Sequence, residues 1–100
     1  MANFKISGKM NVETLQKQFK DSFGGTLRVY SGNKFADPKA TLASIRKADA
    51  KGGEFSASGN MHVGTFEDEM KKNFGINVQV ANKDNSALSP NDISLSKSGQ

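Results

Sequence analysis

The chain has 100 residues, 35% of them apolar, with no Cys, no Trp and a formal net charge of +4. That length suits one domain with one modest core, and the lack of Cys excludes disulfides, thiolate metal centres and Cys nucleophiles. The N-terminus MANFKISGKM lacks a signal-peptide pattern, and no stretch reaches the roughly 18–20 apolar residues of a membrane helix, so the expectation is a cytoplasmic protein with no membrane partner.

The charge is uneven. Residues 1–53 carry ten basic and four acidic side chains, and residues 54–100 carry four basic and six acidic. A basic half can face an anionic partner, but such an imbalance also keeps a small domain soluble.

An internal repeat organises the chain. Shifted by 51 residues, 4–32 (FKISGKMNVETLQKQFKDSFGGTLRVYSG) lies over 55–83 (FSASGNMHVGTFEDEMKKNFGINVQVANK), with ten of 29 positions identical. Chance would give roughly two. The identities Phe4/Phe55, Gly8/Gly59, Met10/Met61, Val12/Val63, Phe23/Phe74, Gly24/Gly75 and Val29/Val80 fall where a fold needs them. The expected organisation is a single domain, 1–100, made of repeats 3–50 and 54–97. Two copies are too few for an open solenoid, so they should close on each other.

Each repeat opens on strand-like alternation. Phe4, Ile6, Gly8 and Met10 face one way against Lys5, Ser7 and Lys9; Phe55, Ala57, Gly59 and Met61 alternate with Ser56, Ser58 and Asn60. A glycine within such a run predicts a bulge or a close backbone approach. The period then becomes helical. Val12, Leu15, Phe19 and Phe23 form one apolar stripe and Val63, Phe66, Met70 and Phe74 the other. Asn11 or Thr14 is expected to cap the first helix, and Thr65 with Asp68 the second. Gly24 and Gly75 stand where a left-handed C-terminal glycine belongs. A second strand follows each helix, with Leu27 and Val29, then Val78 and Val80, facing the core. Met10, Met61 and Met70 are read as core residues.

The ends of the repeats carry mixed signals. Asp37-Pro38 predicts a helix start, with Leu42 and Ile45 on its apolar side and Gly52 as its stop. Ser89-Pro90 could begin a helical turn, yet Ile93, Leu95 and Lys97 alternate like a short edge strand, and SKSGQ reads as a frayed tail. Lys51-Gly52-Gly53 reads as the turn between repeats. Two tandem strand–helix–strand units predict an α+β, ferredoxin-like βαββαβ sandwich with both helices on one face of the sheet. The alternative is a β-grasp-like domain, since 12–45 runs helix, strand, loop, short apolar segment; a β-grasp domain, however, begins with a hairpin.

Catalytic groups are sparse. The single histidine, His62, aligns with Asn11 at the strand-to-helix junction and reads as a cap or surface residue. A triad or a histidine-rich metal site needs further partners. Glu67-Asp68-Glu69 is read as a first-turn acidic run, favoured there by the helix dipole, and not as a cation site. Gly8-Lys9 is followed by Met10 and lacks the upstream glycine of a phosphate loop. No catalytic residue, metal ligand or cofactor is therefore assigned, and the expectation is a non-enzymatic binding or assembly module with a protein partner. The alternative is a nucleic-acid-binding domain using the basic first repeat. The open face of the predicted sheet would carry Lys5, Ser7, Lys9, Arg28, Tyr30, Ser56, Ser58, Asn60 and Gln79, with Lys5, Lys9, Arg28 and Tyr30 as the candidate binding residues. Cations beside an aromatic on a sheet face have the chemistry of base-stacking surfaces.

Overall fold

The computed structural model describes residues 3–31, 34–45 and 54–99. The turn expected at Lys51-Gly52-Gly53 and the last residue, Gln100, lie outside them. The chain is α+β, in the order β1 (Asn3–Ile6), α1 (Val12–Phe23), β2 (Thr26–Ser31), β3 (Lys34–Phe35), α2 (Leu42–Ile45), β4 (Phe55–Ser58), α3 (Val63–Phe74), β5 (Asn77–Ala81) and α4 (Leu95–Ser98). No described helix is long and apolar enough to cross a membrane.

Both long helices form as their stripes dictate. Val12, Leu15, Phe19 and Phe23 are buried on α1, as are Val63, Phe66, Met70 and Phe74 on α3. Both end on left-handed glycines, Gly24 at φ 84° and Gly75 at φ 68°, whose N–H groups donate to the Lys20 and Lys71 carbonyls at 2.8 Å. The two stripes meet in one core, where Phe19 and Phe66 stack at an angle with ring centroids 5.4 Å apart. Ile6, Ala57, Leu27, Val29, Val78 and Val80 line it from the strands. Met70 is fully buried, whereas Met10 and Met61 are partly buried against the core.

The strand order differs from the expected single βαββαβ sheet. β1 pairs antiparallel with β4, and β2 pairs antiparallel with both β3 and β5, giving one two-stranded and one three-stranded sheet. β1 thus pairs with β4 and β2 with β5 across the repeats, while β3 pairs with β2 within the first. The β-grasp alternative fails on the same pairing, because β1 pairs with a strand some fifty residues away and not within an opening hairpin.

β1 is also shorter than its alternation predicts. The strand stops at Ile6, and the chain turns through Gly8, with Met10 N–H donating to the Ser7 carbonyl. The Gly8 and Met10 carbonyls then accept from the Ala43 and Leu42 N–H groups at 3.0 and 2.9 Å. Backbone groups that could have extended a ladder are taken by the α2 segment. Gly8 is the predicted close approach, since a Cβ there would meet the Ala43 Cβ at 3.2 Å. The second repeat copies this, with Leu95 donating to Met61 and Ser96 to Gly59.

The helix N-termini depart from the expected caps. Neither Asn11 nor His62, the residues at the cap positions, makes a side-chain capping bond. On α1 the Val12 and Glu13 N–H groups donate to the Ala40 and Pro38 carbonyls. On α3 the Val63 and Gly64 N–H groups donate to the Ile93 and Asn91 carbonyls. Each repeat therefore folds its last segment back as a strap that satisfies the otherwise unpaired donors of its own helix.

Three further expectations change. Asp37 bonds the Lys39 N–H within a turn, and α2 starts later, behind Thr41, whose Oγ1 accepts from Ser44 N–H at 3.2 Å. Leu95–Ser98 is helical and not an edge strand, capped by Ser94, which accepts from Lys97 N–H. The predicted frayed tail is docked: Ser98 is buried, and a Cβ on Gly99 would overlap the Phe23 carbonyl. Leu42 and Leu95, both fully buried, anchor the two straps.

Candidate functional site

The four candidate binding residues fall on two separate sheets. Lys5 is on β1, and Lys9 follows it in the turn, whereas Arg28 and Tyr30 are on β2. Lys5 projects outward opposite Ser56 and pairs with Glu54 at 3.4 Å. Both partners of that ion pair are exposed, so it contributes little to stability. Lys9 borders an open depression lined by Ser7, Gly8, Thr41, Ala43 and Glu54, part of it made by the strap.

Arg28 and Tyr30 share the outer face of the β3–β2–β5 sheet. The alternation that buries Leu27 and Val29 turns them outward. Arg28 is held by the second repeat, its Nε donating to Asn85 Oδ1 at 2.8 Å and its Nη2 to the Asn85 carbonyl at 3.3 Å. The Tyr30 hydroxyl donates to Gln79 Oε1 at 2.8 Å. Tyr30 also lies directly across from Phe35 on β3, and the rings stack with centroids 5.1 Å apart and 19° between planes. Phe35 is 69% exposed, an unusual position for a ring of that size.

Phe35 is not among the candidate residues that the sequence picks out. Within Lys34-Phe35-Ala36 no alternation is long enough to define a strand, so its pairing with Tyr30 is visible only once β3 folds back on β2. A sequence signal did exist: Phe35 is an aromatic with no counterpart in either apolar helix stripe.

The acidic run on α3 sits in the second turn, because the helix starts at Val63. Its members differ. The Glu67 carboxylate accepts the Val80 N–H at 3.2 Å, covering a backbone donor on the side of β5 away from β2. Burial raises the Glu67 pKa above its usual 4.5; the Val80 hydrogen bond opposes this and the neighbouring Asp68 charge adds to it. Glu69 accepts from the Asn73 side chain, and Asp68 is exposed. Among the described residues no cluster of three or more His, Cys, Asp or Glu side chains is placed to hold a metal ion. His62 is exposed beside a solvent-open depression lined by Ser58, Asn60, Met61 and Thr65.

The chain matches no known family, no curated protein and no solved structure.

Proposed function

We propose that this chain is a non-enzymatic binding or assembly module that docks a protein partner on the outer face of the β3–β2–β5 sheet. The observation that carries this reading is the Tyr30–Phe35 stack with its 69%-exposed outer ring. An exposed aromatic costs solubility unless something covers it. Rigid aromatics next to arginine are also the residues that dominate protein contacts. The plate is preorganised: Gln79 fixes the Tyr30 hydroxyl, and Asn85 fixes Arg28. A partner therefore meets a surface whose ordering cost is already met.

A nucleic-acid reading rests on the same plate, because an exposed ring beside Arg28 can stack a base. Lys5 and Lys9 extend from the other sheet and would need a strand that wraps from one to the other.

A photo-crosslinking residue replacing Phe35 in cells tests the first reading. The expected result is a discrete protein adduct that is absent when the same residue replaces exposed Thr14. Equal adducts from both positions would refute a docking site at Phe35. Titration with single-stranded RNA and DNA at low salt separates the second reading: shifts at Arg28, Tyr30 and Phe35 that vanish at high salt would favour it.

A further inference from the structure

The two ladders share a symmetry that points to how the repeats recognise each other. Each residue of 54–83 has a counterpart 51 positions earlier. In the β1–β4 ladder Phe4 faces Ala57, the counterpart of Ile6, and Ile6 faces Phe55, the counterpart of Phe4. Lys5, between them, faces its own counterpart, Ser56. The β2–β5 ladder repeats the pattern. Leu27 faces Val80, the counterpart of Val29, Val29 faces Val78, the counterpart of Leu27, and Arg28 faces its own counterpart, Gln79. A residue opposite its own counterpart lies on a two-fold axis, as in an isologous dimer. The helices agree, since α1 packs on α4 and α2 on α3.

At such an axis, a charge carried by both halves would meet itself, and like charges directly opposite on antiparallel strands repel. At both axis pairs the cation is present in the first repeat alone: Lys5 against Ser56 and Arg28 against Gln79. Each cation also bonds to a second-repeat residue, Lys5 to Glu54 and Arg28 to Asn85. The counterpart of Glu54 is Asn3, which carries no charge.

We infer that the protein is a pseudo-dimer joined in one chain, and that Lys5 and Arg28 are its pairing determinants, making the seam accept the second repeat and reject a second copy of the first. Pairing two first repeats would set Lys5 on Lys5 and Arg28 on Arg28 and remove the Glu54 carboxylate. At these two positions the basic excess of the first repeat serves self-recognition, and on the outer sheet face the same ordering of Arg28 by Asn85 presents it to a partner.

Two variants of the full chain test this. Ser56→Lys with Gln79→Arg places like charges at both axis pairs. Adding Lys5→Ser and Arg28→Gln moves the cations to the second repeat and restores one charge per pair. At low salt the first variant is expected to melt roughly 2–15 °C below the parent. The part of that loss that comes from repulsion should be recovered in about 1 M salt, where screening acts within ~3 Å. The transferred variant, which loses only the weak, exposed Lys5–Glu54 pair, should show a much smaller salt-recoverable loss. The readout is the salt-recoverable part because loss of the Tyr30–Gln79 hydrogen bond is common to both variants and insensitive to salt. The inference is overturned if the first variant shows no salt-recoverable loss, or if the transferred variant shows as much.

Discussion

Phe19→Ala is the perturbation that most directly probes the joining of the repeats. Phe19 is fully buried and touches both halves of the core. Its ring meets Phe23 edge-on at 5.1 Å and Phe66 of the second repeat at 5.4 Å. Truncating a buried Phe costs about 3–5 kcal/mol from lost transfer and the cavity left behind. The two aromatic contacts, each worth about 0.5–1.5 kcal/mol, place this site at the upper end. Small domains have about 5–15 kcal/mol in total, so the variant loses a large share of its stability. At about 4–8 °C per kcal/mol for a chain of this size, Tm should fall by at least about 12 °C. Met70, the counterpart 51 residues on, is equally buried but makes none of the aromatic contacts, so Met70→Ala should cost about 2–5 kcal/mol and less than Phe19→Ala. Urea melts of both variants, monitored by far-ultraviolet circular dichroism, provide the comparison. A Phe19→Ala loss below about 1 kcal/mol would refute a core shared between the repeats.

Three other outcomes follow from the same packing. Leu42→Ala and Leu95→Ala should each cost about 2–5 kcal/mol, and hydrogen exchange should quicken at Val12 and Glu13 in the first and at Val63 and Gly64 in the second; exchange unchanged at those amides would mean that the straps do not cap the helices. Gly24→Ala and Gly75→Ala should each lose about 1–2 kcal/mol in thermal melts, because φ values of 84° and 68° set a Cβ against its own backbone. For Glu67, a folded-state pKa above 4.5 means that the native state binds the proton more tightly than the unfolded chain, so its ionised form weakens stability above the folded pKa and that penalty fades as pH falls through it. Glu67→Gln keeps an acceptor for Val80 N–H and should melt no lower than the parent at pH 7, with any advantage closing as the pH approaches 4.5; a lower Tm at pH 7 would show that the charge stabilises the fold.

Much of the local structure was legible in the chain. The two apolar stripes and the inward-facing residues of β2 and β5 follow from periodicity, which depends only on the geometry of a helix turn or a pleat, and the glycine C-caps follow from their place after the last stripe residue. The outward placement of Arg28 and Tyr30 came from the same alternation. The straps also had a sequence trace. Thr41-Leu42-Ala43-Ser44 aligns with Ser94-Leu95-Ser96-Lys97, but at a shift of 53, because the loop before the second strap is two residues longer. One fixed shift therefore cannot align both the helices and the straps.

Strand partnership was decided by the tertiary structure. Alternation tells which residues of β1 or β2 face the core, but a ladder uses backbone groups that every residue carries alike. The straps take the Gly8, Met10, Gly59 and Met61 carbonyls and so end β1 and β4, while the shared core that Ile6, Ala57, Leu27, Val29, Val78 and Val80 line brings β1 to β4 and β2 to β5. The same folding back of a two-residue strand brought Phe35 onto Tyr30, thereby creating the plate that the sequence held only as two unrelated aromatics. The repeat itself was therefore written in local spacing, whereas the seam between its copies, with Lys5 and Arg28 on the axis, was fixed by which distant strands the shared core brings together.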